Sequence, residues 1–380
     1  MIGDRLRQTR LAARLTLRQL AERVGDVTAQ AISKFENGRA VPRQSVLVGL
    51  ARALNVTTTH LLSPPHVSLA EVKFRKRASL PETEEESIKS QVRECLEPQV
   101  ELAELLGPRG ALPYAPPRRS EETLNRMDEV ERRAEDLRDE WGLGTDPIKN
   151  VIETLEDRGV HVVTLEADAR FDELACIANG KHPVVVLKAF DQGKGDRQRL
   201  SALHGFAHHI LCAGDAVDEE KMCHRFAAAV LVPQQAAERE LGAKRTHLDL
   251  PHELKLLKEK YGLSIGAWLF RARDLGIITQ AAFERHWREL SIRGWRAREP
   301  GDVPLEAPRR HCLAVQQAVA EGLITPARAA EYLGELPRRA RAKPSDTELA
   351  AAARCAREDY SEAGDMSVWS QLDNEDFLDT

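Results

Sequence analysis

The sequence predicts a mainly α chain with a small α+β unit. Apolar residues recur at helical spacing through much of its 380 residues. Only a few short stretches between residues 159 and 187 alternate and are rich in β-branched side chains, as strands are. An apolar, histidine-bearing segment follows them, as expected where a small sheet feeds a helix.

The length suits two or three domains, each able to bury its own core. Hydrophobic residues make up 42% and charged residues 30%, an ordinary soluble balance. No stretch approaches the roughly 20 apolar residues of a membrane span. The first residues carry arginines and lack the apolar core and small-residue cleavage site of a secretory signal. Cys95, Cys176, Cys212, Cys223, Cys312 and Cys355 form no Cys-x-x-Cys pair, so reduced thiols in a cytoplasmic chain are expected. Net charge is −5 but uneven. Residues 1–62 carry ten Lys/Arg against four Asp/Glu, whereas residues 358–380 carry eight Asp/Glu and no Lys/Arg. A basic head suggests phosphates, and an acidic tail suggests a basic partner or simple solubility.

Residues 3–62 read as five short helices. Leu6, Leu11, Leu17, Leu20, Ala21 and Val24 fall at helical spacings, and Thr16 is placed to cap the second helix. Gly25-Asp26 ends that helix, Thr28 caps a third up to Phe35, and Asn37-Gly38 stops it. Pro42-Arg43 then opens a fourth over 44–54. Two short helices joined by a tight glycine turn make a helix-turn-helix. A Ser-Pro-Pro stop follows the head, and a glutamate-led helix is expected over 82–106. Residues 107–117 read as a proline-rich loop, 121–141 as a charged helix, and 147–157 as another. Strands are expected over 159–165, 175–179 and 183–187, with Gly180 at the turn between the last two. Further helical stretches follow over 253–261, 264–275, 314–321 and 325–334. The domain boundaries that result are a head at 1–65, a linker and connecting helix at 66–120, a second domain at 121–336 and an acidic tail at 337–380.

The head closely resembles the XRE, or lambda-repressor-like, family. The likeness rests on Leu17-Arg18-Gln19-Leu20-Ala21-Glu22, on Ala31-Ile32-Ser33-Lys34-Phe35-Glu36-Asn37-Gly38, and on Pro42 with Leu50-Ala51. It implies that Gln19 clamps a phosphate, that Thr28, Ala29, Gln30 and Ser33 face bases, and that Lys34 and Arg39 lie near the backbone of a double-stranded operator. Amide side chains read adenine edges, and Lys/Arg fix register on phosphates. A small helical protein-binding module with a solvated basic face is the blander alternative.

Within the helix expected after the strands, Leu203-His204-Gly205-Phe206-Ala207-His208-His209 has the skeleton of His-Glu-x-x-His. In that motif two histidines on one helix face ligate zinc and the glutamate beside the first is the general base. Here Gly205 stands at the glutamate position.

Residues 139–336 resemble the ImmA/IrrE family of metallopeptidases, a zincin-like α+β fold. The matching stretches are Trp141-Gly142-Leu143-Gly144-Thr145-Asp146-Pro147, Leu155-Glu156-Asp157-Arg158-Gly159 and Asp196-Arg197-Gln198-Arg199. Phe226-Ala227-Ala228-Ala229-Val230-Leu231-Val232-Pro233, Tyr261-Gly262-Leu263-Ser264 and Arg271-Ala272-Arg273-Asp274-Leu275-Gly276-Ile277-Ile278 complete the series. The resemblance implies a Zn2+ held by His204, His208 and Glu220, with Glu219 as the fallback carboxylate and no catalytic residue at Gly205. Losing a positioned general base typically costs about 10²- to 10⁴-fold in rate. Core histidines on a decayed site are the competing reading. His209 and His224 are expected at the surface or behind the ligands, and Cys212 and Cys223 as small buried hydrophobes.

The acidic end carries Trp369, Leu372, Phe377 and Leu378 at spacings that would let them anchor a partner. A solubilising tail is the alternative. Three functions stand. The first is a DNA-binding antitoxin and autorepressor that holds a toxin encoded nearby through a degenerate peptidase-like domain, with dimerisation possible and no membrane involved. The second is an active zinc endopeptidase cleaving a repressor. The third is a stand-alone regulator sensing a ligand or metal.

Overall fold

A computed structural model describes residues 2–76, 80–110, 119–120 and 122–334. Its described residues fall into two units, one ending at Leu323 and one beginning at Ile324. Trp369, Leu372, Phe377 and Leu378, the expected partner anchors, lie outside the described residues.

The first unit begins with five helices: α1 (Ile2–Ala12), α2 (Leu17–Val24), α3 (Ala29–Glu36), α4 (Gln44–Leu54) and α5 (Thr58–Leu62). Their starts are set locally. Thr16 and Gln19 form a capping box on α2, and the Thr28 and Thr57 side chains accept the backbone N–H of Ala31 and His60. Leu6, Leu20, Ile32, Leu50, Leu54 and Leu61 make a separate core for these helices.

Next come β1 (Leu69–Lys76), α6 (Glu82–Leu106), β2 (Thr123–Leu124), α7 (Met127–Glu140) and α8 (Val151–Asp157). Residues 69–76, read above as part of a linker, therefore form a strand. The helix expected from residue 121 begins only at Met127, after β2, where Glu129 accepts the N–H groups of Asn125 and Arg126. The helix expected from Pro147 begins at Val151, because Asn150 supplies the cap.

β3 (His161–Leu165), β4 (Phe171–Ala178) and β5 (His182–Lys188) follow, then α9 (Gly195–Ile210), β6 (Cys212–Ala213) and α10 (Glu219–Leu231). The four-stranded sheet runs β1-β4-β5-β3; β4 pairs antiparallel with β1 and β5, and β3 pairs parallel with β5. β2 pairs parallel with β6. Side chains alternate across the sheet and so feed two cores. On one face Leu174, Cys176, Val184 and Val186 meet Ile88, Val92, Leu96 and Val100 of α6. On the other, Val162, Val185 and Leu187 meet Leu203, Phe206, Ala207 and Ile210 of α9.

The second core is completed by α11 (Gln234–Leu241), α12 (Lys255–Tyr261), α13 (Ile265–Asp274) and α14 (Gln280–Ile292), with Trp268 and Tyr261 fully buried. α11 and α14 were not foreseen. α15 (Arg310–Ala320) ends this unit's helices. In the second unit, α16 (Pro326–Tyr332) starts on a Thr325 cap with proline in its first turn. No helix among the described residues is long and apolar enough to cross a membrane.

Candidate functional site

On the head, Gln19, Thr28, Gln30, Lys34 and Arg39 are exposed, while Ala29 and Ser33 are half-buried. Thr28 spends its hydroxyl oxygen on the α3 cap, and Ser33 receives Asn37 Nδ2 on its carbonyl at 2.7 Å. Gln19 Oε1 accepts from Thr16 N at 2.9 Å, which leaves the side-chain NH2 as the donor a phosphate needs. Arg18, Arg23 and Arg43 add exposed cations that the motif alone did not single out.

The head is fixed in place by polar contacts from α1 and α5 to α6. Arg5, 1% exposed, reaches Glu97 Oε2 at 2.5 Å and Ser63 O at 3.1 Å. Gln8 Nε2 donates to Glu94 Oε1 at 2.9 Å, and His60 Nε2 lies 3.1 Å from Glu94 Oε2. Ser87 Oγ donates to Leu11 O at 2.9 Å.

The second site lies between α9, α10 and strands β1 and β4. His204 is fully buried; its Nδ1 is bonded to Glu173 of β4, itself 1% exposed and 3.4 Å from Arg75 NH1. That bond turns His204 Nε2 toward α10, where it stands 3.3 Å from Glu220 Oε2 without hydrogen-bond geometry, buried and otherwise unpartnered. One helical turn on, His208 repeats the arrangement. Its Nδ1 lies 3.2 Å from Glu219 Oε1 and its Nε2 lies 3.6 Å from Glu220 Oε1. Glu219 also pairs with Lys73 of β1. Of the two candidate carboxylates, then, Glu220 faces both Nε2 atoms and Glu219 sits behind His208.

His224, expected at the surface or behind the ligands, joins the cluster instead. The ligand atoms of His204, Glu220 and His224 all lie within 4.8 Å of one another, and the His204 and His224 ring centroids are 4.4 Å apart. His209 turns away, with Nε2 bonded to Val184 O at 3.0 Å. Cys223 is buried with Sγ 3.6 Å from His208 Nδ1, whereas Cys212 is only half-buried, in the short strand β6. Glu173 and Arg75 left no signal in the sequence. His224 left one, since it falls four residues after Glu220, on the same helix face.

The electrostatics suit a cation. Burial opposes a proton on His204, but Glu173 and Glu220 outweigh it and raise its pKa above the ordinary histidine value. The His204 imidazole in turn holds Glu220 down at about 2. Burial, with the charge of His204 beside them, lowers His208 and pushes His224 down to about 3. His208 and His224, whose imidazoles are held toward the neutral form, and the ionised Glu220 carboxylate are donors suited to Zn2+, and the carboxylates on the Nδ1 atoms of His204 and His208 orient Nε2 as ligand nitrogens are oriented. The residues present therefore fit the metal that the motif implies.

Position 205 faces the sheet. A Cβ there would lie 2.9 Å from Val185 Cγ1 and 3.6 Å from Glu173 Oε1. Glu173 is bound on the Nδ1 side of His204, away from Nε2, and so is not placed to act on anything held at Nε2. Beside the cluster opens a cavity of about 920 Å³ lined by His224, Lys221, Arg225, Phe270, Trp287 and Arg296.

A family model described as a helix-turn-helix domain matches residues 2–62. Neither the curated proteins nor the solved structures give a match. Residues 2–62 are thus a helix-turn-helix domain, and the chain carries a DNA-binding module of the kind regulators use.

Proposed function

We propose that this protein is a transcriptional regulator whose head reads an operator, and whose second domain is a degenerate zinc-peptidase scaffold that holds a protein partner. The observation that carries the first half is the match over residues 2–62, together with the exposure of Gln19, Thr28, Gln30, Lys34 and Arg39. Gly205 supports the second half. It offers no proton acceptor, and its neighbours in the sheet leave little room for one. In this reading the chain is the antitoxin and autorepressor of a toxin encoded nearby, and the acidic tail with Trp369 and Phe377 contributes to holding it.

The clustering of His204, Glu220 and His224 favours one alternative, a regulator that responds to a bound metal. Hydrolysis of a repressor is disfavoured by Gly205.

Fluorescence anisotropy with duplexes from the gene's own promoter region tests the regulator reading. Specific binding that weakens steeply with salt is expected, and no binding at low salt would end it. Co-expression with the product of the neighbouring reading frame tests the partner reading. Deleting residues 358–380 should weaken that complex and leave DNA binding unimpaired.

A further inference from the structure

We propose that His224 is a metal ligand, so that His204, His208, Glu220 and His224 together supply four protein donors to one Zn2+ and leave no coordination position for a hydrolytic water. This rests on the zinc reading of α9 and α10 and goes beyond it. The family resemblance implies three ligands, which leaves an open fourth position, the arrangement of catalytic zinc. Four protein ligands are the arrangement of structural zinc.

Three observations converge on His224. Its ligand atom lies within 4.8 Å of those of His204 and Glu220, a set that closes without His208. It stands one turn along α10 from Glu220, so both side chains leave the helix on one face. It also lines the cavity of about 920 Å³, so it stands between that cavity and the buried His204. His208 lies outside that 4.8 Å set, but its Nε2 stands 3.6 Å from Glu220 Oε1 and its Nδ1 is backed by Glu219. Three imidazole nitrogens and one carboxylate oxygen form a tetrahedral set that zinc accepts. A closed site also accounts for Gly205, since without a bound water a general base has nothing to deprotonate.

The experiment loads the purified full chain with zinc or cobalt(II). X-ray absorption of the zinc form counts imidazoles with no substitution needed, and three are expected. The cobalt spectrum of the parent should be that of a four-coordinate ion and should not change when azide is added. His224→Asn should weaken metal binding by at least about 10-fold in chelator competition and make the cobalt spectrum respond to azide. Thermal melts of the metal-free proteins should coincide. Two imidazoles in the zinc form, or an azide response in the parent, would overturn the closed site while leaving the motif's three-ligand zinc standing. A parent that takes up neither metal would overturn both. DNA binding by the head would be untouched in either case.

Discussion

Val185 stands where a side chain at position 205 would begin, its Cγ1 2.9 Å from the Cβ that Gly205 lacks. Val185 is buried in β5 and stiff at χ1, so it cannot swing aside cheaply. Alanine at a helix interior gains roughly 1 kcal/mol over glycine. Overpacking a filled core costs about 1–3 kcal/mol. Gly205→Ala is therefore expected to destabilise by about 1 kcal/mol in denaturant unfolding, and combining it with Val185→Ala, itself destabilising in this buried core, should cost clearly less than the two separate losses added. Non-additivity of this kind is the signature of a shared contact. A stabilised Gly205→Ala would mean that the sheet yields at this point. The same contact bears on Gly205→Glu, the substitution that would rebuild the motif. Its carboxylate would enter beside Glu173, so no restored hydrolysis is expected.

The proposed DNA-binding head would separate base reading from backbone contact. Gln30→Ala should narrow the gap between operator and scrambled duplex by about 1–3 kcal/mol, because a lost amide pair affects only the matching base. Lys34→Ala should weaken all duplexes alike and reduce the salt slope by about one unit. Equal effects of the two substitutions on operator and scrambled DNA would contradict the assignment of α3 to the groove.

The head and the histidine helix were legible because their signals are local. Thr16 and Gln19 cap α2 three residues apart, and Thr28 caps α3 in the same manner. β1 was not legible. Its partner β4 is about a hundred residues away, register shifts interrupt the pairing, and Lys73 and Arg75 give it a polar look. Those two side chains reach the histidine cluster, where Lys73 pairs with Glu219 and Arg75 with Glu173. Glu173 was hidden for the same reason. Only the folded sheet brings it under His204.

Glu131 of α7 carries two arginines from other helices. Arg271 of α13 reaches its carboxylate at 2.5 and 2.7 Å and Arg225 of α10 at 2.7 Å, and Arg271 is 2% exposed. Removing one partner of a buried ion pair leaves an uncompensated charge and costs about 3–5 kcal/mol. Glu131→Ala should lose that much stability in urea, more than Glu135→Ala one helical turn away. Because α10 carries Glu220 and His224, metal affinity should fall with it. A loss below about 1 kcal/mol would show that the arginines find other partners or water.

Acid should loosen the seat of the head on α6, and Glu94 is the residue through which this acts. Burial would raise its carboxyl, but His60, Gln8 and Arg5 outweigh burial and hold its pKa below the usual glutamate value of 4.5. Thr9 Oγ1 also donates to it, at 3.2 Å. A carboxyl depressed in the folded state contributes stability at pH values above its unfolded pKa. That contribution is lost as pH falls through the folded pKa, because the unfolded chain then binds the proton more readily. The stability gap between the parent and Glu94→Gln should therefore be full at neutral pH and shrink once pH drops below 4.5, the ordinary value from which Glu94 is displaced. Urea midpoints measured from pH 7 down to about pH 3 read this directly, and comparing the two proteins cancels carboxylates elsewhere. A gap that stays constant across that range would mean that Glu94 gains nothing from its charge. A gap that widens on acidification would reverse the sign of the shift and remove the ionic part of the docking.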